Sequence, residues 1–120
     1  MAFPSRIQGS GISGGATGSI AGDVATGVSA AGTTAGTSTQ LTAVYNVVST
    51  VTAAAAGVKL PTAETGAMCF VANDDGADSL TVYPQTGSTI DGAASVAVAA
   101  GKRRFFVGTS PTTWVSVLGA

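Results

Sequence analysis

With 120 residues, a net charge of −1 and charged side chains at only 9%, the chain has room for one small domain and lacks the clustered basic surface that nucleic-acid binding requires. Its apolar stretches are short and broken by Thr, Gly and Asn, so no membrane span is expected despite a mean hydropathy of +0.43. So low a charge, against about 25% in ordinary soluble domains, leaves a bland exterior that is expected to be covered in part by neighbouring molecules.

The opening residues Met1-Ala2-Phe3-Pro4-Ser5-Arg6 run into Gly and Ser rather than an apolar core, so no signal peptide is expected. From Gly9 to Gln40, Gly recurs every few residues and no period of 2 or 3.6 is sustained. Residues 1–40 therefore read as an extended Gly/Ser/Ala-rich N-terminal arm, with Phe3, Arg6, Ile7, Ile12 and Ile20 as its candidate contacts to a sibling subunit or a larger partner. The arm carries only Arg6 and Asp23 as charges, so apolar anchors and backbone pairing are the expected sources of affinity, with Gly allowing close approach. A G-x-G-x-x-G match at Gly9–Gly14 has neither a strand before it nor a helix after it, and reads as chance.

Residues 41–120 read as a β domain. Leu41–Val51 alternates so as to place Leu41, Ala43, Tyr45, Val47 and Val51 on one face, and Ala67–Ala72 carries few polar positions, as in a strand buried on both sides. Asn73-Asp74-Asp75-Gly76-Ala77-Asp78 is the strongest turn signal, and it predicts that the flanking runs pair as a hairpin. Ser79–Tyr83 ends at Pro84, Asp91-Gly92 marks another turn, and Gly108–Pro111 separates Arg104–Val107 from Thr113–Val117. About eight short strands at regular spacing predict an all-β domain, a small antiparallel β-sandwich or barrel. Tyr45, Phe70, Val82, Phe106 and Trp114 are the expected core.

Little chemistry is on offer. The chain has no His and one Cys, which removes the commonest general base and makes a zinc site implausible. No Gly-x-Ser-x-Gly elbow occurs. Asp74, Asp75 and Asp78 could meet calcium, but the spacing of a calcium loop is absent and the cluster reads as a turn. Lys102-Arg103-Arg104 reads as a solvated strand edge or a contact with an acidic partner, and Tyr83 or Trp114 could stack on a sugar, although aromatics at alternating strand positions are more often core. Cys69, flanked by Met68, Phe70 and Val71, reads as a core thiol from a reducing site of synthesis. No enzyme activity, cofactor or metal is expected.

The stretch GTTAGTSTQLTAVYNVVSTVTAAAAGVKLP, then Val71-Ala72-Asn73, LTVYPQTGSTIDG, VAAGKRRFFVGT and TTWVSV, resembles a recurrent β module of tailed-bacteriophage virion proteins over about residues 32–118. Its hallmarks here are Val82-Tyr83-Pro84 with Gly87 and Ile90, and the closing Trp114. The resemblance implies a decoration or cement subunit that binds the major capsid protein and stabilises the shell, a homotrimer made in the host cytoplasm and located on the capsid surface. Its alternative is a trimeric head-fibre or tail-fibre module that binds host-surface glycan. No catalytic residues belong to the pattern.

Overall fold

The computed structural model describes residues 22–52 and 56–119, and these form ten short strands and no helix. The strands are β1 (Val24–Ala30), β2 (Thr39–Gln40), β3 (Tyr45–Val51), β4 (Gly57–Lys59), β5 (Met68–Asn73), β6 (Leu80–Tyr83), β7 (Thr89–Ile90), β8 (Val96–Val98), β9 (Arg103–Ser110) and β10 (Thr113–Gly119). Six of them form one sheet in the order β1-β3-β5-β9-β10-β7, and four form a second in the order β2-β4-β6-β8.

From β1 to β9 successive strands alternate between the two sheets. β1, β3 and β5 pair in parallel, as do β2, β4 and β6, so the chain winds through three stacked rungs, each contributing one strand to either sheet. Backbone pairing continues around one corner, where Leu41 N–H donates to Lys59 O (2.9 Å) and Leu60 N–H to Tyr83 O (2.8 Å). Leu41, Leu60 and Pro84 are buried along that corner. The last rung is closed by antiparallel pairing: β8 runs against β6, β9 against β5, and the β9–β10 hairpin extends the larger sheet to β7. Asp91 (φ 52°) and Gly92 (φ 78°) make the tight turn between Ile90 and Ala93, whose backbones bond to each other in both directions. Positive φ at both centres is the turn that Asp-Gly favours.

The core lies between the sheets. Val48, Val71 and Phe106 face Val58, Val82 and Val98, with Leu60, Leu80, Ile90 and Trp114 completing the cluster. Each such side chain contributes about 1.5–3 kcal/mol on full burial. Because a rung cannot bury its apolar side alone, the stacked neighbours and the antiparallel closure stabilise one another.

Several sequence expectations change. The architecture is solenoid-like, not an antiparallel sandwich or barrel, and Val24–Ala30, inside the segment read as arm, is already a strand because it pairs with β3. Phe3, Arg6, Ile7, Ile12 and Ile20 lie outside the described residues. The turn after β5 is a corner rather than a hairpin, since β5 and β6 belong to different sheets. The same Asx chemistry serves both geometries. Asn73 is buried; its amide donates to Asp78 O and Val98 O, both at 2.9 Å, while its Oδ1 accepts from Asp75 N–H (3.1 Å). Asp75 in turn accepts from the N–H groups of Ala77 and Asp78. The corner is thus bonded to itself and to the core instead of folding β6 back on β5. Among the described residues no helix is long and apolar enough to cross a membrane.

Candidate functional site

The larger sheet presents one face to the core and the other outward. Strand parity assigns the sides: in β5, Cys69, Val71 and Asn73 are buried while Met68, Phe70 and Ala72 are not. Parallel stacking then sets equivalent residues of successive rungs side by side. Val24 lies opposite Tyr45, Tyr45 opposite Phe70, Phe70 opposite Phe105 and Phe105 opposite Val117, an apolar row across five strands. Two residues along, Met68, Val107 and Val115 form a second row; on the other side Val47, Ala72 and Arg103 form a third.

Tyr45 and Phe70 stack with ring centroids 4.3 Å apart and planes 5° apart, and Phe70 and Phe105 stack at 4.2 Å and 24°. Contacts of this kind add about 0.5–1.5 kcal/mol each beyond area burial. Sequence reasoning put Tyr45 and Phe70 in the core, yet both are half-buried on the outer face. The reason is the entry into β3. Leu41 and Ala43 are buried at the corner, but the strand that begins at Tyr45 turns Asn46 and Val48 inward, so Tyr45 and Val47 point out. Asn46 tolerates burial because its amide donates to Ala43 O (2.9 Å) and Phe70 O (3.2 Å). Val82, Phe106 and Trp114 are buried, with Trp114 2% exposed.

Beside the stack the face carries exposed apolar side chains. Val24 (65%), Val117 (66%), Met68 (53%) and Val115 (45%) are large apolar side chains left exposed on it. A shallow depression of about 230 Å³ lies against Tyr45, Val47, Phe70, Ala72 and Arg103, smaller than the roughly 300–1,000 Å³ of small-molecule pockets. The third row's charge, Arg103, reaches Asp74 at 3.5 Å with both side chains well exposed, a pair of little energetic weight. Arg104, expected at a solvated edge, turns inward instead: its Nη1 donates to Ser116 Oγ (2.6 Å), and that hydroxyl donates to Asp91 Oδ2 (2.5 Å). This pins the β9–β10 hairpin to the Asp91-Gly92 turn.

The other outward face contrasts with this one. On the smaller sheet Gln40, Lys59 and Tyr83 share a row; Gln85 donates to Gln40 (2.8 Å), and the Tyr83 hydroxyl donates to Thr33 O (2.7 Å). That surface is polar and internally bonded.

Chemically, the apolar face can bury surface and little else. Phe70 spends both ring faces on Tyr45 and Phe105, so it offers none for the face-on stacking a sugar requires. The two aromatics first considered for sugar are engaged elsewhere, Trp114 in the core and Tyr83 over Gly57, where a Cβ would lie 2.5 Å from the ring. Asp75 spends its oxygens on backbone N–H groups, and among the described residues no three His, Cys, Asp or Glu gather around a common point. Burial raises the Cys69 thiol to about 12 against a smaller opposing effect from Asn46, so it stays protonated and unreactive. The row was missed in the sequence because Val24, Tyr45 and Phe70 recur at intervals of roughly 20 residues, a rung period visible only once the repeat is sought. Compared with known proteins, the chain matches no protein-family model and no curated sequence.

Proposed function

We propose that the chain is a non-enzymatic structural subunit of a tailed-bacteriophage virion, a decoration protein that binds the major capsid protein on the outside of the shell and acts as a homo-oligomer. The observation that carries this reading is the outer face of the six-stranded sheet, an apolar aromatic row on a small, weakly charged domain. A domain of this size gains stability by covering such a face, and a shell protein is surrounded by the partners that do so. The resemblance of residues 32–118 to phage virion β modules supplies the assembly. The residues that would touch the capsid in this reading include Phe3, Arg6, Ile7, Ile12 and Ile20 of the N-terminal segment.

The test is location. Virions carrying the chain with a small tag, imaged by electron microscopy with a tag-specific label, are expected to show label over the head at regular lattice positions. Label confined to the tail, or absent from the particle, overturns the proposal.

A further inference from the structure

We infer that the outer face of the six-stranded sheet is the surface on which copies of this chain meet, with a second copy of the chain as its occupant. The inference rests on the oligomeric part of the reading above and deepens it by naming the surface.

Area is the first argument. Five strands at about 4.8 Å spacing and roughly six residues at 3.3 Å give a patch on the order of 500 Å². Two copies face to face then bury on the order of 1,000 Å², the lower bound for a specific interface, and an apolar patch of this size on a small domain often marks a functional surface.

The second argument is self-complementarity. Across the sheet the row reads Val24, Tyr45, Phe70, Phe105, Val117, with valine at either edge, aromatics within and Phe70 at the centre. A copy turned about an axis through Phe70 meets the same side chains in reverse order, as an isologous contact requires, and such a contact closes a dimer in place of the homotrimer that the resemblance implies. Aromatic anchors at the centre with polar groups toward the rim are also how interfaces distribute their binding energy. The rim here is the Arg103–Asp74 pair.

The contrast between the two sheets is the third. The smaller sheet covers its outward side with Gln40, Lys59, Thr81 and Tyr83, of which Gln40 accepts from Gln85 and Tyr83 donates to Thr33 O, as on a solvent-facing surface. The larger sheet places valine, methionine and aromatic side chains in the equivalent positions. An apolar row that mirrors itself fits a copy of itself.

The experiment is sedimentation of the full chain at micromolar concentration beside two double variants. Val117→Glu with Met68→Glu places charges on exposed positions of the face, and Ala97→Glu with Thr81→Glu places them on the smaller sheet. The parent and the second variant are expected to sediment at a mass of two chains or more, and the first variant at one, with the far-UV spectrum of the parent. A second measurement avoids the charge substitutions: maleimide labelling of Val117→Cys is expected to be at least roughly tenfold slower than that of Ala97→Cys, since only the former is covered in the oligomer. Buried Cys69 does not interfere. A parent that sediments as one chain overturns the inference. So does an oligomer that the face variant leaves intact, or equal labelling of the two cysteines. A one-chain mass together with slow labelling at Val117→Cys assigns the cover to residues 1–21 of the same chain and overturns it too. Since this experiment reads mass and coverage while the decoration test reads location, each can fail without the other.

Discussion

The Asp75 carboxylate accepts the backbone N–H of Val51 at 3.0 Å, tying the corner of the third rung to the last residue of β3 in the second. The same carboxylate caps its own turn through the N–H groups of Ala77 and Asp78, at 2.9 and 3.0 Å. One side chain thus holds both a local bend and the stacking of one rung on the next.

These backbone donors, Val51 first and then Ala77 and Asp78, hold the Asp75 carboxyl below its ordinary value of 3.8. A carboxylate depressed in the folded state binds fewer protons there than in the unfolded chain. Its stabilising contribution is therefore complete above 3.8 and is lost as pH falls through the depressed folded value. Melting temperatures of the parent and Asp75→Asn, followed from about pH 6 to about pH 2, are expected to differ by a constant amount at the upper end and to converge in the acid range. Curves that stay parallel throughout would show that the corner does not depend on the carboxylate's charge.

Cys69 gives a second, chemical readout of the folded state. It is 1% exposed, packed beside Asn46, and its thiol is raised to about 12 by burial. At neutral pH in the native protein it is expected to resist maleimide indefinitely on the time scale of an ordinary labelling experiment, and to react at once in denaturant. Because Cys69 lies in β5, between β3 and β9, its labelling rate at low denaturant reports opening of the sheet centre. Rapid labelling without denaturant would contradict the packing described for β5.

How much of this was legible in the sequence depends on the range of the interaction. The Asp91-Gly92 turn and the burial of Val82, Phe106 and Trp114 follow from local chemistry, and the structure places each accordingly, whereas the break expected over Gly108–Pro111 shrinks to Pro111 and Thr112 because β9 continues through Ser110. The corner at Asn73–Asp78 was misread because Asn and Asp stabilise bends without stating what the bend connects. Tyr45 was misplaced because strand parity resets at the Leu41–Val44 corner, and Phe70 because β5 alternates, with Cys69 and Val71 inward, instead of being buried on both sides. The contact of Tyr45 with Phe70, between residues in different rungs, exists only through parallel pairing. Val24–Ala30 shows no strand period of its own; its order comes from β3, through a register with two irregularities.

Gly108 is a position where the backbone allows no side chain. A Cβ there would lie 2.1 Å from the carbonyl oxygen of Glu64, which is main chain and cannot swing away. Gly108 also bonds through both its N–H and its C=O to the 61–67 segment crossing over β9, to Ala67 O at 2.8 Å and from Gly66 N–H at 2.9 Å. Gly108→Ala is expected to destabilise by about 1–3 kcal/mol, the range for forced displacement in a packed site. Gly36→Ala, where nothing lies within 4 Å, serves as the control and should be nearly neutral. Chemical denaturation of the two variants decides it: equal midpoints would mean that the 61–67 segment yields without loss.

Trp114 separates a structural from a recognition role for the largest aromatic in the chain. It is 2% exposed, lies opposite Gly108 in β9 and Ile90 in β7, and joins the antiparallel closure to the core of the last rung. Its indole N–H has no hydrogen-bond partner among the described residues, so what Trp114 contributes is volume and apolar contact rather than a polar bond. Trp114→Ala is therefore expected to destabilise by about 3–5 kcal/mol, as truncations of buried Trp do. Trp114→Phe should be markedly milder, because it keeps much of the ring and removes an N–H that is buried unpaired. Thermal or denaturant unfolding of the three proteins gives the order parent, Phe, Ala. If Trp114→Ala instead melts with the parent while binding of the particle to host cells is lost, the ring acts on a ligand, and the glycan-binding fibre reading displaces the decoration role.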